Sequence, residues 1–481
     1  MTRGHAPFAA HSHNIDRSDV LSPGCWGAFA RVRATAPAAP FAPAVSAEAG
    51  AAAGPERSAR VRVPWKAAKN MFLLSGGTHL CGELEVGCAK NAVLPILAAA
   101  MLTDAPVTVE DCPDLVDARN MLSILETLGC RVEARGRDVL LDASRAESHE
   151  MPENLSKRLR SSIFMLGPLI ARFGRARVSY PGGCEIGQRP IDLHLKGLRA
   201  LGVTIREAHG MIECDGARLR GADVYLDFPS VGATENVMMA AVLARGRTTI
   251  HNAAREPEIR DLQAFINALG GKIRGGGTDR VTIEGVRSLG GARYRPLPDR
   301  IVAGTLLAAA AATRGEVLLR RVCPGDLGAV LDKLRQAGCA VETEETRIFL
   351  RARALRPFEI STQPFPGFPT DLQAQFMALA CAAPGASVIV ENVFENRFAH
   401  AAQLRRMGAD IFLSGRLAVV RGGRLYGAEV QASDLRGGAA LVIAALAAEG
   451  ESRVENVELI DRGYEALENM LAALGADIQR I

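Results

Sequence analysis

Six polar or charged residues stand just ahead of apolar helical segments at nearly constant spacing. They are Lys90, Arg160, Ser230, Arg300, Asp371 and Arg436, at steps of 70, 70, 70, 71 and 65. A helix start presents unpaired N–H groups and a partial positive charge. Several of them converging on one cleft would bind anions, phosphates above all. Lys90, Arg160 and Arg300 stand where the helix dipole repels a cation, so in register they call for an anion. Taken singly, each also reads as a solvated end residue, and Asp371, in Pro369-Thr370-Asp371, as a helix cap or dipole complement. Pro95, read as the first turn after Lys90-Asn91, supports a helix start there.

A second set of reactive types lies in loops. Pro181-Gly182-Gly183-Cys184-Glu185-Ile186-Gly187-Gln188-Arg189-Pro190-Ile191-Asp192-Leu193-His194 is Gly-rich and carries a thiol near an arginine. The default for an intracellular cysteine is an inert buried thiol, but here glycines argue exposure and Arg189 favours proton loss. Ala254-Arg255-Glu256-Pro257-Glu258, Phe394-Glu395-Asn396-Arg397 and Asp461-Arg462-Gly463-Tyr464-Glu465 each pair acid with base, and each alone is readable as a surface ion pair.

These residues are positioned by a repeated unit. An amphipathic helix ending in Leu-Gly or a near equivalent recurs with its glycine at 129, 202, 270, 338, 408 and 475, at steps of 73, 68, 68, 70 and 67. Gly just past a periodic segment is a helix stop. Upstream of each lies a helix apolar nearly all round, which must be buried, starting near Ala92, Ile163, Val237, Ile301, Phe376 and Ala439. Six copies of a unit near 70 residues predict an α/β protein of two pseudo-symmetric domains, three units each, with the ligand in the cleft between them.

Composition narrows the class. A chain of 481 residues, 48% apolar and carrying a net charge of +4, has ample material for two cores and too little charge to argue for nucleic acid. Ten cysteines without a Cys-x-x-Cys pair suit a reducing cytosol, and no apolar run reaches membrane-spanning length. Residues 1–70 show neither helical nor strand periodicity and read as a disordered tail or as translation upstream of a true start at Met71.

Gly87-Cys88-Ala89-Lys90-Asn91-Ala92, the 181–194 loop, Asn252-Ala253-Ala254-Arg255-Glu256-Pro257-Glu258, Phe368-Pro369-Thr370-Asp371 and Asp461-Arg462-Gly463-Tyr464 together resemble the UDP-N-acetylglucosamine 1-carboxyvinyltransferases, a family of enolpyruvyl transferases, over Met71 to Ile481. The cysteine loop separates that family from its shikimate-pathway sibling. The resemblance implies a two-domain inside-out α/β barrel built from six βαβαββ repeats. Its domains would be 71–87 plus 298–481, and 88–297 with the cysteine loop. It also implies enolpyruvyl transfer from phosphoenolpyruvate to the 3-hydroxyl of UDP-N-acetylglucosamine in the cytoplasm, the first committed step of peptidoglycan synthesis. No metal or organic cofactor, nucleic acid or membrane insertion is implied.

The same resemblance assigns roles. Cys184 is the general acid that protonates the methylene carbon of phosphoenolpyruvate, and the thiol alkylated by the epoxide fosfomycin. Lys90, Arg189 and Arg462 clamp the phosphate and carboxylate, and Asp371 is the candidate base at the sugar hydroxyl. Asn91 and Arg160 contact substrates; Pro190, Ile191, Asp192, Leu193, Ser230, Val231, Gly232 and Val393 line the UDP-sugar pocket; Arg397 and Arg436 surround the cleft. Two departures stand out. Cys88 replaces the family's usual glycine and would be strained at a positive φ, and Phe228 stands where some members carry a lysine near the UDP. The competing readings are an enolpyruvyl transferase with another acceptor, and a nucleotide-sugar-binding regulator without catalysis.

Overall fold

Helices with no polar face need to be surrounded, and the architecture of the chain follows from that need. The computed structural model describes residues 71–151, 153–156, 159–180 and 191–481. The expectations for residues 1–70, and for Cys184, Arg189 and Pro190, lie outside the described residues.

The six apolar helices are Lys90–Ala99, Leu166–Phe173, Val231–Ala241, Arg300–Ala312, Gln373–Ala382 and Leu435–Ala447. They lie inside: the last three pack on one another, Leu166–Phe173 packs on Val231–Ala241, and Lys90–Ala99 packs mainly against the amphipathic helices Val116–Thr127 and Pro257–Ala268, with small sheets outside. The third repeat shows the unit whole. Strand Asp223–Tyr225 leads into helix Val231–Ala241, strand Arg247–His251, helix Pro257–Ala268 and the strands Lys272–Arg274 and Arg280–Glu284. The first two strands pair in parallel and the remaining pairings are antiparallel. All six landmark glycines have φ between +90° and +101°. That is the left-handed conformation in which only glycine ends a helix without strain.

Among the described residues, five sheets have four strands. The sixth has three, Arg175–Ser179, Met211–Asp215 and Thr204–Ala208, extended by a single bridge between Glu150 and Arg177. Strands are also exchanged between repeats. Cys81–Glu85 pairs in parallel with Glu316–Arg320, whereas Ala292–Tyr294, which precedes the Arg300 helix, pairs with Val107–Val109. Met71–Ser75 completes the last sheet, antiparallel to both Glu451–Glu455 and Asp477–Arg480. Two hydrophobic cores result, one from residues 72–86 and 301–478, the other from 88–283.

The two exchanged segments run side by side. Cys88 bridges Pro298, Ala89 N–H donates to the Leu297 carbonyl at 2.8 Å, and Asp299 N–H donates to the Gly87 carbonyl at 2.9 Å. The helices starting at Lys90 and Arg300 therefore begin next to each other. One carboxylate serves both starts: Asp299 accepts the N–H groups of Ile301 and Val302 at 2.8 and 2.9 Å, and that of Lys90 at 3.1 Å.

Two local expectations change. Pro95 sits one turn further into its helix than the sequence suggests, leaving the Asn91 carbonyl without its i+4 partner. Arg160 opens a 3-10 stretch, Arg160–Met165, ahead of the α-helix Leu166–Phe173. Pro168 has no N–H to offer Phe164, which favours the tighter winding before it.

Candidate active site

Lys90 lies at the start of its helix with a nearly buried side chain, and its ammonium is 2.7 Å from Asp117 Oδ2. The other Asp117 oxygen takes Arg462 Nε at 3.1 Å. Asp117 belongs to the repeat that carries Lys90, whereas Arg462 comes from the last repeat, so one buried carboxylate joins two cations from the two halves. Burial lowers the Lys90 pKa from its ordinary value, Asp117 opposes that shift, and nearby Arg436 and Arg462 add to it. An incoming dianion would favour the charged form.

The second group centres on Asp371, in the 3-10 turn Thr370–Leu372 ahead of the Gln373 helix. Its carboxylate does not cap that helix. Instead Oδ1 accepts Arg397 Nη2 at 2.8 Å and Oδ2 accepts Arg436 Nη2 at 3.0 Å. Both arginines are 4% exposed, and the Nη1 of each is buried with no hydrogen-bond partner among the described residues. Two buried guanidiniums around one carboxylate leave an excess positive charge and spare donors, an arrangement that is costly unless an anion arrives. The Arg436 guanidinium also lies 5.3 Å from the centre of the fully buried Tyr464 ring. That phenol is held by Thr305 and Gln375 at 2.9 and 3.0 Å, two residues from Arg462.

A third group gathers at the starts of helices Asp192–Ala200 and Val231–Ala241. Ser230 caps the second through Ala233 N–H at 3.4 Å. A Cβ on Gly232 would stand 2.9 Å from His194 Cε1, so only glycine admits the imidazole this closely. The packed ring brings Ile191, Asp192 and Leu193 beside Ser230, Val231 and Gly232. His194 Nδ1 meets Asn236 Nδ2 at 2.7 Å, and Asn236 also ties the Ile163 carbonyl and the Gly167 N–H. Burial, with Arg160 nearby, pushes the His194 pKa down to about 4. Asn91 lies half-buried in the first turn beside Lys90. Val393 N–H donates to Glu391, a buried carboxylate that also takes the hydroxyls of Thr362 and Thr370 and so braces the turn carrying Asp371.

Some expected cations find protein partners instead. Arg300 forms a two-pronged pair with buried Glu258 at 3.0 and 3.2 Å, and Arg255 meets Asp279 at the surface. Asp117 and Glu258, the carboxylates that satisfy Lys90 and Arg300, are not assigned partners by sequence reasoning. Each is an acid in the first turn of an amphipathic helix, which looks like ordinary dipole complementation. Cys88 has no positive φ, so the departure from glycine is unstrained. Its thiol receives Arg321 Nη2 at 2.9 Å, and burial raises its pKa to about 12. Phe228 is 47% exposed.

Residues 74–471 match the sequence model of a family described as EPSP synthase (3-phosphoshikimate 1-carboxyvinyltransferase). The chain is 51% identical over 413 residues to UDP-N-acetylglucosamine 1-carboxyvinyltransferase 2 of Caldanaerobacter subterraneus subsp. tengcongensis, covering 85% of this chain and 99% of that protein. The chain belongs to the enolpyruvyl transferase family. A second relative in that family, UDP-N-acetylglucosamine 1-carboxyvinyltransferase of Myxococcus xanthus, is 50% identical over 414 residues, 85% of this chain and 99% of its own. Among solved structures, the enolpyruvyl transferase NikO from Streptomyces tendae superposes with a TM-score of 0.77 at 26% identity, covering 86% and 99% of the two chains. An EPSP synthase from Acinetobacter baumannii shares the fold, with a TM-score of 0.68 at 18% identity, covering 85% and 99%.

Two expected results follow from the buried groups of this enolpyruvyl transferase. Burial holds His194 and His400 down at about 4, against 6.5 for a free imidazole. The folded state thus keeps both neutral while the unfolded chain takes up protons. Stability is full above about pH 6.5 and is lost as pH falls towards 4, with a slope of up to about 1.4 kcal/mol per pH unit for each histidine. Thermal melts across this window should show the loss, and His194→Gln should flatten part of it; an unchanged slope would contradict the assignment. Secondly, burial raises the thiols of Cys88, Cys112, Cys214, Cys339 and Cys381 to about 12, and Cys130 to about 11. Brief iodoacetamide treatment at pH 7 should spare all six and label Cys184. Equal labelling of Cys88 in a peptide map would show that the wrong thiol has been singled out.

Proposed function

We propose that this chain transfers the enolpyruvyl group of phosphoenolpyruvate to the 3-hydroxyl of UDP-N-acetylglucosamine and releases phosphate, in the cytoplasm. The observation that carries the reading is the pair of buried Nη1 groups of Arg397 and Arg436, both without a partner among the described residues, with Arg436 close enough to help lower the Lys90 pKa. Fixed, desolvated donors of this kind favour a small polyanion and stabilise charge that develops during its reaction.

The reaction needs an acid and a base in separate places. Cys184 protonates the methylene carbon, an oxocarbenium-like centre forms, and the sugar hydroxyl attacks it while Asp371 takes or orients the hydroxyl proton. The tetrahedral intermediate then returns a methyl proton to the Cys184 thiolate, which restores the carbon–carbon double bond, and expels phosphate against Lys90, Arg189 and Arg462, while Arg397 and Arg436 hold Asp371 in place. Asn91 and Arg160 contact the substrates. The UDP-sugar lies along Pro190, Ile191, Asp192, Leu193, Ser230, Val231, Gly232 and Val393. The two relatives named for UDP-N-acetylglucosamine support this acceptor. We divide the molecule into domains at 71–87 plus 298–481, and 88–297; the two hydrophobic cores favour that division.

The test is phosphate release from phosphoenolpyruvate with each acceptor in turn. Release that depends on UDP-N-acetylglucosamine is expected. Release driven by 3-phosphoshikimate instead would overturn the acceptor, and binding of both substrates without release would favour the regulator.

A further inference from the structure

We propose that Arg137 and Glu465 are positioning residues for Arg462: they clasp the turn that carries it onto the half of the molecule that carries Lys90. The inference rests on the reading of Arg462 as a phosphate-binding side chain.

The turn after strand Glu451–Glu455 is tied firmly to its own half. Tyr464 is fully buried among Thr305 and Gln375, and Asp461 forms a two-pronged pair with Arg480 at 2.6 and 2.8 Å. Left-handed residues, Asn456 at φ 59° and Ala466 at φ 49°, stand at its two ends. None of these contacts sets where the turn lies relative to the other half. Glu465 reaches across for that purpose. Its two oxygens accept Arg137 Nη1 and Nη2 at 2.8 and 3.0 Å, and Arg137 sits in the hairpin turn between strands Arg131–Arg135 and Asp138–Asp142.

The contact does not end at one pair. Arg137 Nε donates to Asp111, whose second oxygen takes Arg321 Nη1 from the first half again, and Arg321 Nη2 reaches Cys88 Sγ at 2.9 Å. Charges alternate along Glu465, Arg137, Asp111 and Arg321, and the chain crosses between the halves twice. Three residues before Glu465, Arg462 meets Asp117, which holds Lys90. Arg462 is itself 38% exposed, so the single bond it makes among the described residues, to Asp117, leaves the guanidinium weakly fixed. The two-pronged Glu465 pair, with its geometric specificity, supplies the missing constraint. Half-exposed ion pairs contribute little to global stability, so removing this one should be felt in substrate affinity rather than in melting.

A double-mutant cycle on the full chain tests this with Arg137→Gln, Glu465→Gln and the two combined. The readouts are kcat and KM for phosphoenolpyruvate, its affinity by calorimetry, and the melting curve. Each single change should raise KM and weaken affinity about tenfold, with kcat at saturation within about twofold and melting unaltered. The double variant should be no worse than either single, since both break one contact. The idea fails if Glu465→Gln leaves affinity unchanged, if the two effects multiply to about a hundredfold, or if the loss falls only in kcat and melting. Wild-type turnover decides the proposed function separately, because the affinity cycle decides the clasp even where no phosphate is released.

Discussion

Asp371→Asn lowers turnover by about 10²- to 10⁴-fold, the range associated with loss of a positioned proton acceptor, while the melting curve also shifts down. Both effects have one cause. Asp371 joins Arg397 Nη2 and Arg436 Nη2 through separate oxygens, and both guanidiniums are almost wholly buried. An amide keeps the shape but removes the negative charge that bridges them, and breaking a buried pair in this way costs about 3–5 kcal/mol. Affinity for UDP-N-acetylglucosamine should change far less than kcat, because the sugar-nucleotide pocket is assigned to the helix starts near His194 and Ser230. Steady-state kinetics with a parallel melt checks both halves of this expectation. A variant with near wild-type kcat would remove Asp371 from proton transfer and leave it a purely structural counter-charge.

The second large effect is expected at Lys90. Lys90→Ala should raise KM for phosphoenolpyruvate by about 10- to 100-fold, as loss of one charge-assisted contact to a dianion implies. Stability should fall less than for Asp371→Asn, since Asp117 retains Arg462 at 3.1 Å. Lys90→Arg should rescue poorly. The ammonium is a compact point charge in a site 11% exposed, and a planar fork of five donors does not fit where one donor is paired at 2.7 Å. Calorimetric titration with phosphoenolpyruvate is the check, and unchanged affinity would take Lys90 out of the anion site.

The repeats were legible because their signals are local. Periodicity marks the helices, and a glycine past each amphipathic one fixes its end, which is why all six landmark glycines appear in the left-handed conformation. The side-by-side start of the Lys90 and Arg300 helices has no local signal, since it depends on strand exchanges across 185 and 235 residues. The in-register cations call for anions, but the sequence does not say which anions. Lys90 and Arg300 are met by Asp117 and Glu258 in the protein itself. In Arg397 and Arg436, by contrast, one nitrogen each has no partner among the described residues. First-turn acids carry no mark that tells a long-range counter-ion from a dipole complement, so Asp117 escaped notice. The conditional strain at Cys88 could be resolved only by its backbone angle.

Buried cations from separate repeats are expected to surround one phosphorylated acid. A crystal structure of Asp371→Asn with phosphoenolpyruvate and UDP-N-acetylglucosamine bound tests it most directly. The expected result is phosphoenolpyruvate oxygens within hydrogen-bond distance of Lys90 Nζ and of the Arg462 guanidinium, with an Nη1 of Arg397 or Arg436 now engaged. Phosphoenolpyruvate bound elsewhere, with those four side chains still paired only to protein, would contradict it.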